Sequence, residues 1–188
     1  EGQLAKAGSL AYYAALNYDG IPGFNMGGSV FAGGIAQKQP IASPNASMSL
    51  TELHAKWQPG RWEFSGLMAQ GQFHQVSAFN STGLTAGPNG INAVPDRFRG
   101  WYAQAAYRLW RQGDYSLHPF ARYERLNTAV GFSGQLQGLG VPSDPDTRVM
   151  TVGASFYLHP QVVLKVDTQR YFNNSLLDRV NVGVGFHY

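Results

Sequence analysis

The chain has 188 residues, of which 44% are hydrophobic and 13% are charged, and it contains 23 glycines and no cysteine. Soluble domains carry about 25% charged residues, so half that fraction indicates extensive surface that faces neither water nor a packed core. The lack of cysteine excludes disulfides and thiolate metal sites. The net charge of +3 comes from scattered Lys and Arg with no basic run, which argues against nucleic acid as a partner.

The hydropathy pattern excludes membrane-spanning helices without excluding a membrane location. No run approaches the roughly 18 consecutive apolar residues that such a helix needs, and the sequence does not open on a signal peptide. A membrane β-barrel alternates lipid-facing and lumen-facing residues, so a mean hydropathy of −0.24 is compatible with one. If the protein is exported, we expect this to be mature sequence.

Period-2 alternation of apolar and polar residues dominates the chain. It occurs in segments of about ten residues, the length of a tilted membrane-spanning strand. In chain order the segments are residues 8–18, 24–37, 47–58, 61–74, 99–111, 115–126, 147–158, 161–172 and 179–188. The sequence therefore predicts nine antiparallel strands in one all-β domain over residues 1–188.

The connections between these segments alternate in length. Residues 19–23, 59–60, 112–114 and 159–160 are tight turns rich in Gly and Pro, whereas residues 38–46, 75–98, 127–146 and 173–178 are longer and rich in Asn, Ser, Gly and Pro. Outer-membrane barrels have this asymmetry, with short periplasmic turns and longer extracellular loops. The interpretation is a transmembrane antiparallel β-barrel of the bacterial outer membrane, in contact with its lipid.

Residue parity assigns a face to each side chain in a strand. In residues 179–188, Val182 and Val184 share the face expected to meet lipid, and Asn181 lies on the other. In residues 99–111, Trp101 is expected on the lipid face and Trp110 on the polar face. Aromatic residues near the strand ends are expected at the membrane interfaces, namely Tyr12, Tyr18, Trp57, Trp62, Trp101, Trp110, Tyr157, Phe172, Phe186 and Tyr188.

Two segments depart from a clean alternation. In residues 61–74, Leu67 and Ala69 share the parity of Glu63, so a bulge near Gly66 is expected to switch the face. Arg170 falls on the lipid parity, but near a strand end a lipid-facing Arg costs only about 0–1 kcal/mol.

Charged residues of lumen parity are the candidate selectivity residues. We expect Lys56, Arg61, Arg108, Arg122 and Lys165 to face Glu52, Glu63, Glu124 and Asp167, which gives only a slight anion preference. Alternatively, pairs such as Arg122 with Glu124 serve the structure by pairing with neighbouring strands. The longest connection, residues 75–98, either folds inward as a constriction or lies exposed to solvent.

Catalytic and cofactor motifs are absent from the sequence. The five histidines lie on separate segments without an HExxH pair, and no serine sits in a GxSxG motif. The two carboxylates Asp144 and Asp146 fit an ordinary turn better than a calcium loop. The glycine pairs at 27–28 and 33–34 lack the Lys-Ser or Lys-Thr of a phosphate-binding loop. We therefore expect no enzyme activity, no catalytic residue, no metal and no cofactor.

Four stretches carry a family resemblance. They are residues 118–125 (HPFARYER), 151–167 (TVGASFYLHPQVVLKVD), 182–188 (VGVGFHY) and, more loosely, 53–60 (LHAKWQPG). They resemble the closing strands of Gram-negative porins, and in particular the C-terminal half of the phosphate-selective porin O and P family. The resemblance implies a sixteen-stranded barrel, usually a homotrimer, with Tyr188 as the assembly signal at the true C-terminus.

The sequence also departs from that family. No lysine ladder is evident, so phosphate selectivity is not implied. Nine strands are an odd number, and a single-chain bacterial barrel has an even one. The chain is therefore expected to be the C-terminal portion of a barrel, completed by an N-terminal half or a partner chain. The expected function is passive diffusion of small hydrophilic solutes or ions through a porin; the alternatives are a barrel enzyme of the lipase or protease type and a structural barrel.

Overall fold

The computed structural model describes residues 8–37, 44–81, 86–87, 90–91, 94–134 and 146–186. The strands in these ranges are β1 (Ala11–Ile21), β2 (Phe24–Gly34), β3 (Ser47–Trp57), β4 (Trp62–His74), β5 (Ala86–Gly87), β6 (Gly90–Ile91), β7 (Arg97–Tyr107), β8 (Trp110–Gln112), β9 (Tyr115–Gly131), β10 (Asp146–His159), β11 (Val162–Tyr171) and β12 (Arg179–Phe186). A five-residue helix α1 (Ser77–Ser81) and a 3-10 turn (Ser175–Leu177) complete the set. No helix in these ranges is long and apolar enough to cross a bilayer.

Ten of the strands form one antiparallel sheet. Its order is β1-β2-β3-β4-β7-β9-β10-β11-β12, with β8 paired to β9, and β5 and β6 form a separate hairpin. Each of the nine predicted segments overlaps one strand of this path, so the all-β antiparallel fold is confirmed. Four strands extend beyond their predicted bounds, since β1 and β9 end later, β7 begins earlier, and β10 both begins earlier and ends later than expected. The sheet does not close, because within the described residues β1 pairs only with β2 and β12 only with β11.

The connections separate the two ends of the sheet. One end, the turn end, carries the short connections after β1, β3, β8 and β10, and the other, the loop end, carries the long ones. Gly23, Gly60 and Gly113 have φ of 76°, 63° and 59°, a conformation that glycine adopts without steric cost. The predicted alternation of short and long connections is therefore confirmed.

Strand register extends the two faces across the whole sheet. The polar face is the side of Asn181, whose pairing runs through Asp167 and onward to Arg122 and Lys56. The apolar face is the opposite side, and Val182, Leu53 and Met68 lie on it with exposed fractions of 80%, 52% and 55%.

Burial is inverted relative to a soluble protein. Every buried strand residue of the main sheet in the described ranges lies on the polar face, including Phe120, Thr151 and Asp167. Large apolar side chains of the opposite face stay exposed. A water-soluble sheet buries its apolar face instead.

The expected bulge near Gly66 is wrong. The register of β4 runs without a shift from Trp62 to His74 against β3, and it is equally regular against β7. Leu67 and Ala69 therefore remain on the polar face, opposite His54 and Glu52. Their small or aliphatic side chains lie beneath the longer polar chains of β3.

An irregularity lies instead between β7 and β8. Ala106 pairs with Phe120, whereas Trp110 pairs with Leu117, so β7 and β8 together hold one more residue than the facing part of β9. This extra residue, at Arg108 and Leu109, reverses the side-chain direction beyond it. The prediction that Trp110 lies on the polar face is therefore wrong, because Leu117 belongs to the apolar face.

Candidate functional site

The polar face gathers most of the predicted selectivity residues into two patches. The first patch lies on β3 and β4 and contains Glu52, His54, Lys56 and Glu63. The second lies on β9 and β11 and contains Arg122, Glu124, Lys165 and Asp167.

In the first patch each carboxylate has a cationic or potentially cationic partner. Glu52 Oε1 lies 2.8 Å from His54 Nδ1, and Ser29 Oγ donates to the other Glu52 oxygen at 3.2 Å. Lys56 Nζ lies 3.0 Å from Glu63 Oε2, to which Gln58 Nε2 also donates at 2.6 Å. The patch therefore presents polar but paired groups.

Arg122 and Glu124 form the centre of the second patch. Arg122 Nη2 donates to Glu124 Oε1 at 2.8 Å, and the guanidinium lies 3.8 Å from the centroid of the Tyr102 ring. Such stacking adds about 0.5–2 kcal/mol of attraction and fixes the plane of the guanidinium. Arg122 is therefore held against the sheet by Glu124 on its own strand and by Tyr102 on β7.

Lys165 and Asp167 form the other half of the second patch. Lys165 Nζ lies 3.6 Å from Asp167 Oδ2 and 4.6 Å from the centroid of the Phe120 ring. Asn181 Nδ2 donates to Asp167 Oδ1 at 2.8 Å across the strand pair. The Asp167 side chain is only 7% exposed, which its two partners make tolerable.

Arg61 and Arg108 are placed away from both patches. Arg61 follows the turn glycine and precedes β4, and its carbonyl accepts a hydrogen bond from the backbone N–H of Arg108 at 2.8 Å. Both residues therefore lie at the rim of the turn end.

Two further arginines of the polar face were missed in the sequence. Arg179 Nε donates to Gln169 Oε1 at 2.7 Å, and its Nη2 donates to the Tyr171 hydroxyl at 2.8 Å. Arg111 pairs with Ser116, which is a residue of the polar face. Arg179 has the same parity as Asn181, so its face could have been predicted from the sequence. The face of Arg111 could not, because it depends on the extra residue before β8. With these two, the Lys and Arg residues within the described strands that lie on the polar face are Lys56, Arg111, Arg122, Lys165 and Arg179.

Two serine hydroxyl groups lie within hydrogen-bonding distance of histidine rings. Ser49 Oγ lies 3.1 Å from His74 Nε2 at the loop end of the apolar face. Ser116 Oγ lies 3.1 Å from His118 Nε2 on the polar face. A hydrogen bond between a nucleophile and a base is one requirement of covalent catalysis. Within the described residues, no hydrogen bond orients the second ring nitrogen of either histidine.

The connection between β4 and β7 is partly folded. Asn80 is almost fully buried; its side chain donates to the carbonyls of Val94 and Ser133 at 2.9 and 2.8 Å and accepts from the Val94 N–H at 2.8 Å. Val76 packs with Ala36, Ala46 and Phe73, of which Phe73 belongs to the polar face. The described part of this connection is thus anchored to two other loop-end segments on the polar side.

Aromatic side chains gather on the apolar face at the turn end. Trp62 stacks on Phe64 with centroids 5.7 Å apart and contacts Tyr107 at 4.8 Å, and Tyr115 stacks on Phe156 at 6.3 Å. Closer to the loop end, Trp101 contacts Tyr123 at 5.5 Å and Tyr123 contacts Phe172 at 6.4 Å. Two aromatic zones therefore border the apolar face.

Tyr157 lies on the polar face, 4.9 Å from the ring of His118, so its expected interface position is wrong. Tyr188 lies outside the described residues.

Comparison with known proteins gives one distant similarity. The chain is 26% identical over 173 residues to an uncharacterized protein of Aquifex aeolicus (strain VF5), a match that covers 90% of this chain and 38% of that relative. The chain thus spans well under half of that relative's length. No protein-family model matches the chain.

Proposed function

We propose that residues 1–188 form part of an outer-membrane β-barrel that encloses a water-filled channel for passive diffusion of small hydrophilic solutes or ions. The observation that carries the proposal is the inverted sheet, whose buried strand residues lie on the hydrogen-bonded polar face while large apolar side chains of the opposite face are exposed. A barrel in lipid needs this arrangement, with apolar residues outward and polar residues around the lumen.

The dimensions of the apolar face support a membrane position. On β9 the apolar face runs from Tyr115 to Tyr123, between the two aromatic zones. This span is about 26 Å of strand at about 3.3 Å per residue, or about 20 Å of depth at a tilt of about 40°. Outer-membrane barrels carry an apolar band of about 25 Å between aromatic girdles.

The open edges support the proposal that further strands complete the barrel. In hydrocarbon each unpaired backbone group costs several kcal/mol, so an open sheet edge does not persist there. In this proposal, polypeptide outside residues 1–188 or another chain pairs with β1 and β12. A total of sixteen strands follows from the resemblance to the porin O and P family, as does assembly into a homotrimer.

The polar face supports weak selectivity for anions. The two patches hold cations and carboxylates in pairs, and Arg61, Arg108 and Arg111 add positive charge near the turn end. Paired charges on a pore wall leave a small net field, whereas unpaired charges of one sign discriminate strongly.

The test is conductance of the full-length protein in planar bilayers. Discrete ohmic steps, with a reversal potential in a salt gradient that indicates slight anion preference, are the expected result. Strong cation preference would contradict the selectivity, and a lack of steps from correctly folded protein would contradict the channel.

A barrel enzyme is the second candidate, and the contact of Ser49 with His74 is the observation that favours it. Both residues lie at the loop end of the apolar face, where a membrane lipid would meet them. Labelling of the full-length protein by a fluorophosphonate, lost in Ser49→Ala, would establish this activity. Ester hydrolysis without conductance would replace the channel proposal.

A further inference from the structure

At the loop end, the apolar face carries arginines instead of apolar residues. The arginine cluster consists of Arg97 and Arg99 on β7, Arg125 on β9, Arg148 on β10 and Arg170 on β11, and all five are exposed. Arg125 pairs directly with Arg148 in the sheet register, and Arg99 pairs with Asn127, which in turn pairs with Asp146. Four neighbouring strands thus carry the cluster, and Arg99, Arg125 and Arg148 lie within two register positions of one another.

Within the part of the chain that the structure describes, the charge of the cluster is only partly compensated. Asp146 accepts two hydrogen bonds from Arg125, both at 2.8 Å, and its Oδ2 lies 4.0 Å from Arg148 Nε. Like charges that face each other on adjacent strands repel. Among the described residues, Asp146 is the one carboxylate in contact with the five arginines, so this part of the surface carries a net positive charge, which a multiply charged anion would stabilise.

The presence of arginine without lysine in this cluster favours a phosphate group as the bound anion. Both lysines in the described residues, Lys56 and Lys165, lie on the polar face, whereas every cation of the apolar face is an arginine. A guanidinium presents paired donors that match two phosphate oxygens and is less strongly hydrated than an ammonium group. It also remains charged at all physiological pH values.

An apolar groove leads away from this cluster. The groove has a volume of about 750 Å³ and reaches Arg99 and Arg125 at one end. Ala55 and Gly66 form a shallow floor between larger side chains, because neither fills the space above its strand. The lining on the apolar face includes Met26, Leu53, Ala55, Gly66, Met68 and Trp101.

We propose that this surface binds one lipopolysaccharide molecule from the leaflet at the loop end. Its lipid A phosphates contact the guanidinium groups of Arg99, Arg125 and Arg148, and one of its acyl chains lies in the groove. The proposal rests on the outer-membrane position proposed above, which puts the loop end at the outer leaflet. The joint presence of an apolar groove and a cationic rim fits an anionic lipid, since each half of such a molecule finds its complement.

The experiment compares lipid retention by the full-length protein and by Arg99→Gln/Arg148→Gln. This variant leaves the Arg125–Asp146 pair intact, so the sheet keeps its bidentate contact. Arg61→Gln/Arg111→Gln is the matched control, because it removes the same charge at the turn end. Detergent-solubilised protein is incubated with bisphosphorylated lipid A, dephosphorylated lipid A or phosphatidylglycerol, and bound lipid is counted by native mass spectrometry.

The expected result is binding of bisphosphorylated lipid A that falls about 30-fold in Arg99→Gln/Arg148→Gln, at about fivefold per arginine, and is unchanged in the control. Ala55→Trp fills the groove and should weaken the binding of bisphosphorylated lipid A. Equal binding of both lipid A forms, or equal binding by both arginine variants, would overturn the proposal. Phosphatidylglycerol bound as tightly as lipid A would also overturn it.

Oligomeric state and conductance distinguish the lipid site from an interface between copies of the chain and from the channel. If Arg99→Gln/Arg148→Gln dissociates an oligomer while lipid retention is unchanged, the surface is an interface between copies and the lipid site is wrong. Conductance in bilayers of neutral phospholipid is measured on the same preparations. Conducting protein without phosphate-dependent lipid binding overturns the lipid site alone, and phosphate-dependent binding by protein that never conducts supports the lipid site and overturns the channel.

Discussion

Adjacent residues of β12 have opposite environments and provide a direct test of the two faces. Val182 lies on the apolar face with 80% of its surface exposed, whereas Asn181 donates a hydrogen bond to Asp167 on the polar face. Replacing Val182 with Arg should destabilise the inserted protein by about 2–4 kcal/mol, the cost of a lipid-facing Arg near mid-membrane. Asn181→Arg keeps a donor in water and should be tolerated.

The measurement is urea-induced unfolding of the full-length protein in lipid vesicles. Val184→Arg repeats the change one position along the same face, and it should behave as Val182→Arg does. Similar losses for Asn181→Arg and the two valine variants would contradict the assignment of the faces.

Arg122 is the residue with which the charge balance of the polar face is best tested. Its replacement by Ala leaves Glu124 without the cation that now lies 2.8 Å away. The reversal potential in a salt gradient should therefore move toward cation preference. Arg170→Ala is the control, because it removes the same charge from the apolar face and should leave the reversal potential unchanged. If Arg170→Ala shifted the reversal potential as much as Arg122→Ala, selectivity set by Arg122 would be wrong.

Parity in the sequence was sufficient to place most charged residues on the correct face, but it could not identify their partners. Lys56 and Glu63 meet across the β3–β4 pair, whereas Arg122 and Glu124 meet along one strand. Which of these occurs depends on the register between strands and on rotamers, and the long side chains permit both. Parity also does not define where a strand begins, and Arg61 lies just before β4 at the turn end.

At the level of strands, β4 is the element for which the sequence was most misleading. Leu67 has the parity of the polar face and Met68 that of the apolar face, and the regular register keeps them there. An apolar residue on the polar face suggested a bulge, but neighbouring polar side chains such as His54 accommodate it. The opposite error occurred at Leu109, where nothing in the local composition indicates an extra residue.

Single cysteines can test the regular register of β4, since these 188 residues contain none. Leu67→Cys should react with a charged, water-soluble thiol reagent that enters the channel, and Met68→Cys should not. A bulge at Gly66 would exchange the two results. The rate of reaction in reconstituted vesicles, with denatured protein as the reference for full reactivity, provides the measurement.

The side-chain amide of Asn80 makes three of the hydrogen bonds that hold the connection after β4. Asn80→Ala removes three hydrogen bonds and leaves backbone groups of Val94 and Ser133 without them. Each unsatisfied buried group costs about 1–3 kcal/mol, so the connection should open locally while the sheet remains folded. Hydrogen exchange should rise in residues 76–81 and 94–96 but not in β9. Asn174→Ala, which removes a cap in the connection before β12, should affect only its own segment; exchange that rises throughout the sheet would show a wider role for Asn80.

For the molecule as a whole, the separation of β1 from β12 is the decisive feature. Leu164 and Val184 are directly paired across β11 and β12, so cysteines at these positions should form a disulfide in the full-length protein on mild oxidation. Cysteines at Ala14 and Val182 should not form one within a monomer, because other strands lie between β1 and β12 in the proposed barrel. An efficient intramolecular bond between them would indicate a small closed barrel instead.

The order of the strands was predictable, but closure was not. Alternating short and long connections leave little choice except a meander, because each short turn joins neighbours. Closure depends on what meets the outer edges of β1 and β12, and no side-chain pattern within a strand encodes the identity of a partner strand. The arginine cluster was similarly hidden, because its five members are spread over four strands that only the register brings together.

The strict meander has a consequence for how such a protein changes over evolutionary time. Among the described residues, each strand of the main sheet pairs only with its neighbours along the meander, and β4 pairs with β7 because β5 and β6 form a separate hairpin. A gene segment that encodes one such hairpin can be duplicated or lost while every remaining strand keeps a sequence neighbour on each side. The circumference of the wall would then change in steps of two strands, and homologues of different length would differ by whole hairpins inserted at the loop end.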